Sequence, residues 1–403
     1  MEEFLLERAR TIIEASEWEK GKPFAEEAVH RIWDRLHLDK WNNVHPKSRL
    51  YFAEACKLLA ECQLHTPGES REQQIQAAIQ TLDTGLLMAG PYGRDLHSLM
   101  NGLVEEATSQ LSTHGNEQPS RKRICPSRPL ETLPWTQDNP LCTSLKRIPP
   151  PAIHEFLNEY MCNNQPVIIT GFVLQSIELT WHVGAMDHWP AMGKTHEGSR
   201  SWADLDYLRR VAGMRTVPIE IGSSYLDDNW SQSLMPLKDF IDQYVLKPSS
   251  SSPRGYLAQH ALFEQIPSLR KDILIPDYCA LSLCDDDDNV DEVVVNAWFG
   301  PDETISPLHF DPSQNLLCQV VGSKYIRLYD KKYSDNLYPV KGLLSNTSQV
   351  QVEDVDETAF PLFSTTPYWE CILGPGEMLY IPPKCWHYIK SLTVSFSVSC
   401  WWN

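Results

Sequence analysis

The sequence predicts an α+β protein, with an N-terminal helical unit followed by a β-rich domain of the sandwich or jelly-roll type. Three observations lead there. Residues 1–111 keep apolar side chains at helical spacing. A polar stretch with Ser, Gly, Asn, Gln and Pro interrupts this at 112–134. From Trp135 onward, short apolar runs recur at near-even spacing between Gly and Pro turns, the pattern of a closed all-β architecture. A chain of 403 residues has room for both parts. We divide it into a helical domain (1–111), a linker (112–134) and a second domain (135–403).

In the helical part, Phe24, Ala25, Ala28, Val29, Ile32, Trp33 and Leu36 form one stripe, and Leu50, Tyr51, Ala55, Leu58 and Leu59 a second. Ser70-Arg71-Glu72-Gln73 reads as a capping box ahead of Ile75, Ile79, Leu82 and Leu86. No steady period points to a repeat array. His30, His37, His65 and His97 read as surface or capping histidines, and nothing in this part suggests chemistry. In the linker, Arg121-Lys122-Arg123 followed by Arg128 reads equally as a short nuclear-import signal or as a solvated turn. The expected residence is the nucleus, with the cytoplasm as a second compartment.

The formal net charge of −18 excludes a general nucleic-acid binder, because phosphate contacts need a basic surface. It suits a basic partner, and equally suits plain solubility. The 11 cysteines are scattered without a C-x-x-C pair, and the first residues lack the basic start and apolar run of a signal peptide. Reduced thiols and no membrane segment are expected. The last strand runs almost to Asn403, without a further helical pair for dimerisation, so a monomer is expected.

In the second domain, 153–161 reads as a helix and Pro166–Gly171 as a buried strand. Trp181, Trp189 and Trp202 read as core or groove fillers. Thr216–Gly222 is a strand in which Glu220 stands among apolar neighbours, and Asp285–Asp288 belongs to a solvated acidic loop. Further strands follow at 293–299, 305–311, 315–321 and 324–329, the last two joined at Gly322-Ser323 as a tight hairpin. Strands are also expected at Phe360–Phe363, 369–373, 378–381 and 393–402.

Chemistry concentrates at Leu308-His309-Phe310-Asp311-Pro312 and at His387. In an extended strand, residues i and i+2 share a face, so His309 and Asp311 aim at one point while Phe310 turns away. Two imidazoles and a carboxylate form the facial triad of non-haem Fe(II) oxygenases. Zinc enzymes use the same donors, so the triad alone leaves the metal open.

The wider pattern comprises Trp298, Ser306-Pro307-Leu308-His309-x-Asp311, Asn315, Gly322-x-Lys324, Gly374-Pro375-Gly376-Glu377-x-Leu379-x-Ile381-Pro382 and Trp386-His387. It resembles the jumonji-C (cupin-fold) oxygenases from about residue 150 to the end. The resemblance implies a double-stranded β-helix (jelly-roll/cupin) with its core at about 255–403, and Fe(II), 2-oxoglutarate and O2 as requirements. It also implies that Lys324, which bare sequence would leave as a surface lysine, is the cation for a carboxylate of 2-oxoglutarate, with Tyr256, Ser306 and Asn315 beside it. Phe310 and the length of the acidic loop depart from the family pattern.

With the helical part included, the chain resembles the demethylase and arginyl-hydroxylase branch of this family. That implies a basic protein or peptide substrate containing arginine, such as a histone or a ribosomal or chromatin-associated protein. Glu220 and Trp298 are the candidates for holding a guanidinium, with Tyr225 as a further wall. Competing expectations are histone lysine demethylation by N-methyl hydroxylation, peptidase action on histone tails, and a non-enzymatic cupin-like binding protein.

Overall fold

The computed structural model describes residues 1–38, 43–113, 139–171, 186–194, 200–222, 230–246, 253–283, 292–342 and 344–403. Most of the linker with its basic residues, Trp181, Tyr225 and Asp285–Asp288 lie outside the described residues. The chain divides into two compact units. One holds residues 1–120 together with 208–217 and 234–239, and the other holds the rest.

The first unit is built from α1 (Glu2–Glu14), α2 (Trp18–Leu38), α3 (Pro46–Gln63), α4 (Arg71–Ala89) and α5 (Leu96–Thr113), each packed on the next. The expected stripes supply most of the buried faces, except that Leu50 is exposed and Phe52 is buried in its stead: Ala25, Ala28, Ile32 and Leu36 meet Phe52, Ala55 and Leu59, while Ile75, Ile79 and Leu82 meet Leu96 and Met100. The capping box of α4 forms as expected, with Gln73 N donating to Ser70 Oγ and Ser70 N to Gln73 Oε1. Of the four histidines, His30 is exposed, His37 contacts the carbonyl of Trp33, and His65 stacks on Trp18.

A buried ion pair lies in the same unit. Arg215 donates from Nε and Nη2 to Asp83 Oδ1 at 3.1 and 2.7 Å, and the backbone N–H of Thr216 donates to Asp83 Oδ2 at 2.7 Å. Three donors satisfy the carboxylate, the condition under which a buried charge is tolerated.

The second unit carries two sheets. Its strands are β1 (Cys142–Ser144), β2 (Arg147–Ile148), β3 (Val167–Ile169), β4 (Thr216–Ile221), β5 (Ser231–Pro236), β6 (Gly255–His260) and β7 (Val294–Gly300). They continue as β8 (Ile305–His309), β9 (Gln314–Val321), β10 (Lys324–Tyr329), β11 (Tyr368–Leu373), β12 (Met378–Ile381), β13 (Trp386–Ser391) and β14 (Ser395–Trp402). The five-stranded sheet runs β1-β11-β10-β13-β8 and the nine-stranded sheet β2-β3-β12-β9-β14-β7-β6-β4-β5. Side chains from both sheets, among them Leu317, Ile326, Leu328, Leu373 and Leu379, form the core between them. Trp189 and Trp202 are buried, as expected.

The hairpin expected at Gly322-Ser323 does not form: β9 pairs with β12 and β14 in one sheet and β10 with β11 and β13 in the other, so Gly322 makes a turn that carries the chain between sheets. Its φ is +72°, and a Cβ there would meet the Val394 carbonyl oxygen at 1.9 Å, so only glycine fits. The strand expected at Phe360–Phe363 is absent, and bends lead instead into a short 3-10 turn, Phe363–Thr365. Pro361 has no N–H to give a ladder, and of this run only Phe363 is buried while Leu362 is exposed. The helix expected at 153–161 begins as α and passes into a π-helix at Phe156–Met161.

Candidate active site

His309 ends β8 and stands directly opposite His387, the second residue of β13. Asp311 lies two residues beyond the end of β8, so the strand stops short of the 305–311 expected from the sequence. Its backbone carbonyl accepts from Lys384 N at 2.8 Å, which pins the Pro382–Cys385 turn against it. His309 Nδ1 lies 2.7 Å from the Pro307 carbonyl and His387 Nδ1 lies 3.0 Å from that of Cys385. A carbonyl only accepts, so each Nδ1 carries the proton and each Nε2 keeps a lone pair for a metal.

The Nε2 atoms lie 3.9 Å (His309) and 3.5 Å (His387) from the Asp311 carboxylate oxygens, and the three donor atoms fall within 4.8 Å of one another. Burial, with His387 alongside, pushes the His309 imidazole down to about 4. The His309 imidazole is therefore neutral at pH 7, as a metal ligand must be. Phe310 turns away, as expected, and packs edge-on against Trp386.

Lys324 opens β10 and points into the same cavity, 1% exposed. Its Nζ donates to Tyr256 Oη at 3.1 Å, and Ser306 bonds the same hydroxyl. Burial alone pushes the ammonium down to about 7. Asn315 and Trp401 face each other across β9 and β14. Asn315 Oδ1 and Trp401 Nε1 are both buried without a hydrogen-bond partner, a state that costs about 1–3 kcal/mol per group unless a ligand or water fills it. Trp401 was not singled out in the sequence. Its signal is the alternation of β14, which turns Ser397, Ser399 and Trp401 to one face.

Residues 153–403 match the cupin-like domain family, and residues 13–118 match the KDM8-like N-terminal ARM repeats. The chain belongs to the cupin-like, jumonji-C family. It is 41% identical to "Lysine-specific demethylase 8" of Danio rerio over 92% of this chain and 85% of that one. It is 35% identical to the protein of the same name in Xenopus tropicalis, over 100% and 93%. To "Lysine-specific demethylase JMJ30" of Arabidopsis thaliana it is 38% identical, over 94% and 85%. The ARM match corrects the expectation of a non-repetitive helical unit. The helices run from 13 to 21 residues, so no constant period survives in the sequence.

As a jumonji-C protein the chain is an Fe(II)/2-oxoglutarate-type dioxygenase, and the family uses Fe(II), 2-oxoglutarate and O2. Two imidazoles and a carboxylate suit ferrous iron with positions left for other ligands. The buried lysine and the unpartnered Trp401 N–H fit an anionic second ligand, while Asn315 Oδ1 would accept from a donor on a ligand or water.

Three residues were expected to face the substrate. Glu220 stands opposite Tyr256 in the β4–β6 pair, and directly paired residues share a face, so its carboxylate lies on the side that carries Tyr256. It is half-buried, accepts from Trp230 Nε1 at 3.4 Å, and is held above the usual carboxylate range by burial, with the indole N–H pulling the other way. Trp298 lines the metal cavity, with Nε1 donating to Ser399 Oγ at 2.9 Å and its ring 6.2 Å from that of Tyr256. Tyr225 is the third and lies outside the described residues. Trp230 is an aromatic neighbour of Glu220 that the sequence did not single out.

Proposed function

We propose that the chain hydroxylates a carbon of an arginine side chain in a basic protein substrate. Glu220 carries this reading. A half-buried carboxylate bonded to one indole, on the face that bears Tyr256, matches a guanidinium, which pairs with carboxylates and lies flat on rings. Trp298 and Tyr225 complete the proposed bracket.

In this reading His309, Asp311 and His387 hold the iron. Lys324 meets a carboxylate of 2-oxoglutarate, with Tyr256, Ser306 and Asn315 supplying hydroxyl and amide contacts. Bound Fe(II) with 2-oxoglutarate and O2 supplies the oxidising power for a C–H bond. The chain's own part is placement. The Pro307 and Cys385 carbonyls fix the imidazole tautomers, Lys324 and Tyr256 orient the oxoacid, and the wall of Leu317, Ile389 and Trp298 limits access of water. Glu220 would set which substrate carbon faces the iron.

The names of the relatives favour a second reading, oxidation of an N-methyl group on lysine with loss of formaldehyde. On either reading we place the substrate among nuclear, chromatin-associated proteins and the enzyme as a monomer. Two peptides separate the readings, one with a single arginine and one with a single methyl-lysine, each incubated with enzyme, iron and 2-oxoglutarate. Mass spectrometry should find one added oxygen on the first. Formaldehyde from the second, with the arginine peptide untouched, would replace the first reading by the other.

A further inference from the structure

The five-stranded sheet has two occupied faces. On β10, Lys324 faces the metal cavity and Ile326 and Leu328 enter the inter-sheet core, while Tyr325, Arg327 and Tyr329 point the other way. On that outer face there is a cavity of about 430 Å³, walled by Tyr325, Arg327, Tyr329, Phe363, Thr366 and Tyr368. Such a volume lies within the range of small-molecule sites. Glu353 and Glu357, both exposed, also border it.

Arg327 gives the cavity its chemistry. Its guanidinium lies 4.4 Å from the centre of the Tyr368 ring, and Nε donates to Tyr325 Oη at 3.0 Å. Among the described residues no carboxylate oxygen lies within ion-pair distance of it. Glu370, directly across on β11, accepts instead from Tyr325 Oη at 2.7 Å. Beside Arg327 on β13, the Tyr388 hydroxyl is buried next to the Glu353 carboxylate. A half-buried guanidinium on an aromatic wall, with no anion of its own, is a receptor for a carboxylate.

The border narrows the ligand class. Lys390 Nζ holds Glu353 at 2.9 and 3.1 Å but also Glu303 at 2.7 Å, so it offsets the Glu353 charge in part, and Glu357 accepts from Ser364 at 3.3 Å. The remaining negative charge disfavours a dianion. A cation is disfavoured as well, since the aromatic face that would receive it is already covered by Arg327. We propose that this cavity is a second ligand site, separate from the metal, which takes a monocarboxylate attached to a flat apolar body. The carboxylate could belong to a free aromatic acid or to the terminus of a peptide ending in an aromatic residue.

The test uses the full chain with Mn(II) and saturating 2-oxoglutarate, so that carboxylate sites near the metal are already filled. It is titrated with benzoate, with neutral benzamide, and with a short peptide ending in Phe, as free acid and as amide. Binding is followed by ligand-observed NMR. Benzoate or the free-acid peptide should bind, its neutral counterpart about tenfold or more weakly, and the pair that shows this identifies the source of the carboxylate. Arg327→Met should weaken binding about tenfold or more, while Lys324→Ala should leave it unchanged. Glu357→Gln changes only an exposed side chain and should tighten binding, which decides the matter if Arg327→Met fails to fold. The proposal falls if neither acid binds at millimolar concentration, if Arg327→Met binds as well as the native chain, or if Lys324→Ala alone abolishes binding. An unchanged affinity in Glu357→Gln also overturns it.

Discussion

Lys324 should make 2-oxoglutarate binding a proton-uptake reaction. Burial alone brings its ammonium to about 7, with a tyrosine hydroxyl as its hydrogen-bond partner. About half of the free chains then carry the charge at pH 7, and about one in ten at pH 8. A carboxylate placed against the amine restores the charged form, so binding should take up about 0.5 proton at pH 7 and about 0.9 at pH 8. Above pH 7 the affinity should fall about tenfold per pH unit, or about 1.4 kcal/mol. Calorimetry on the Mn(II)-loaded chain, in two buffers of different ionisation enthalpy, reads the proton count directly. The same shift has a stability consequence in the ligand-free chain. Between about pH 7 and the normal lysine range the unfolded state binds more protons, so stability should rise with pH across that window, by at most about 5 kcal/mol, and stay level below it. Lys324→Met should abolish both effects, weaken 2-oxoglutarate binding, and raise the melting temperature near pH 7. A dissociation constant that is flat from pH 6.5 to 8.5 in the native chain would refute the reasoning.

Other outcomes follow from the same geometry. Asp311→Ala should lose most bound iron and all 2-oxoglutarate turnover, as measured by elemental analysis and succinate formation. Glu220→Gln keeps the shape and removes the charge, so hydroxylated arginine should fall about tenfold or more while uncoupled 2-oxoglutarate consumption changes little. Trp401→Phe keeps an aromatic ring but removes the unpartnered N–H, and should weaken 2-oxoglutarate binding more than iron binding. Asp83→Ala removes the carboxylate that the buried Arg215 grips with two nitrogens, and should cost about 3–5 kcal/mol in urea unfolding.

The site was legible in sequence where its parts are local. His309 and Asp311 are two residues apart, and the Gly322 turn and the Ser70 capping box each announce themselves within a few positions. Asp311 converges on the histidines although β8 ends before it, because the Lys384 N–H holds its backbone rather than a strand ladder. Lys324 reads as a surface residue on bare chemistry. Its burial depends on β11 and β13 flanking β10, which only pairing across tens of residues produces. Trp401 and Arg327 stayed hidden for the same reason. Each sits in an apolar alternating strand, and the sequence does not say which face meets a cavity. Phe360–Phe363 misled because a short run of apolar residue types was read as a strand although it holds Pro361, and only Phe363 of it turns inward.

The Asp83–Arg215 pair bears on how such a chain can be inherited. Helical repeats and a jelly roll separated by a polar stretch look like two cassettes that recombination could exchange freely. Here a segment from the later half, 208–217, belongs to the unit of the first helices, and its arginine needs a carboxylate contributed 132 residues earlier. A transplanted jelly roll would arrive with a buried guanidinium stripped of Asp83, and a transplanted helical array with a buried carboxylate stripped of the Arg215 and Thr216 donors. Either chimera begins with a folding deficit that several compensating changes would have to erase. The two halves are therefore expected to travel as one heritable piece, as they do in relatives matched over 85% and 93% of their own length.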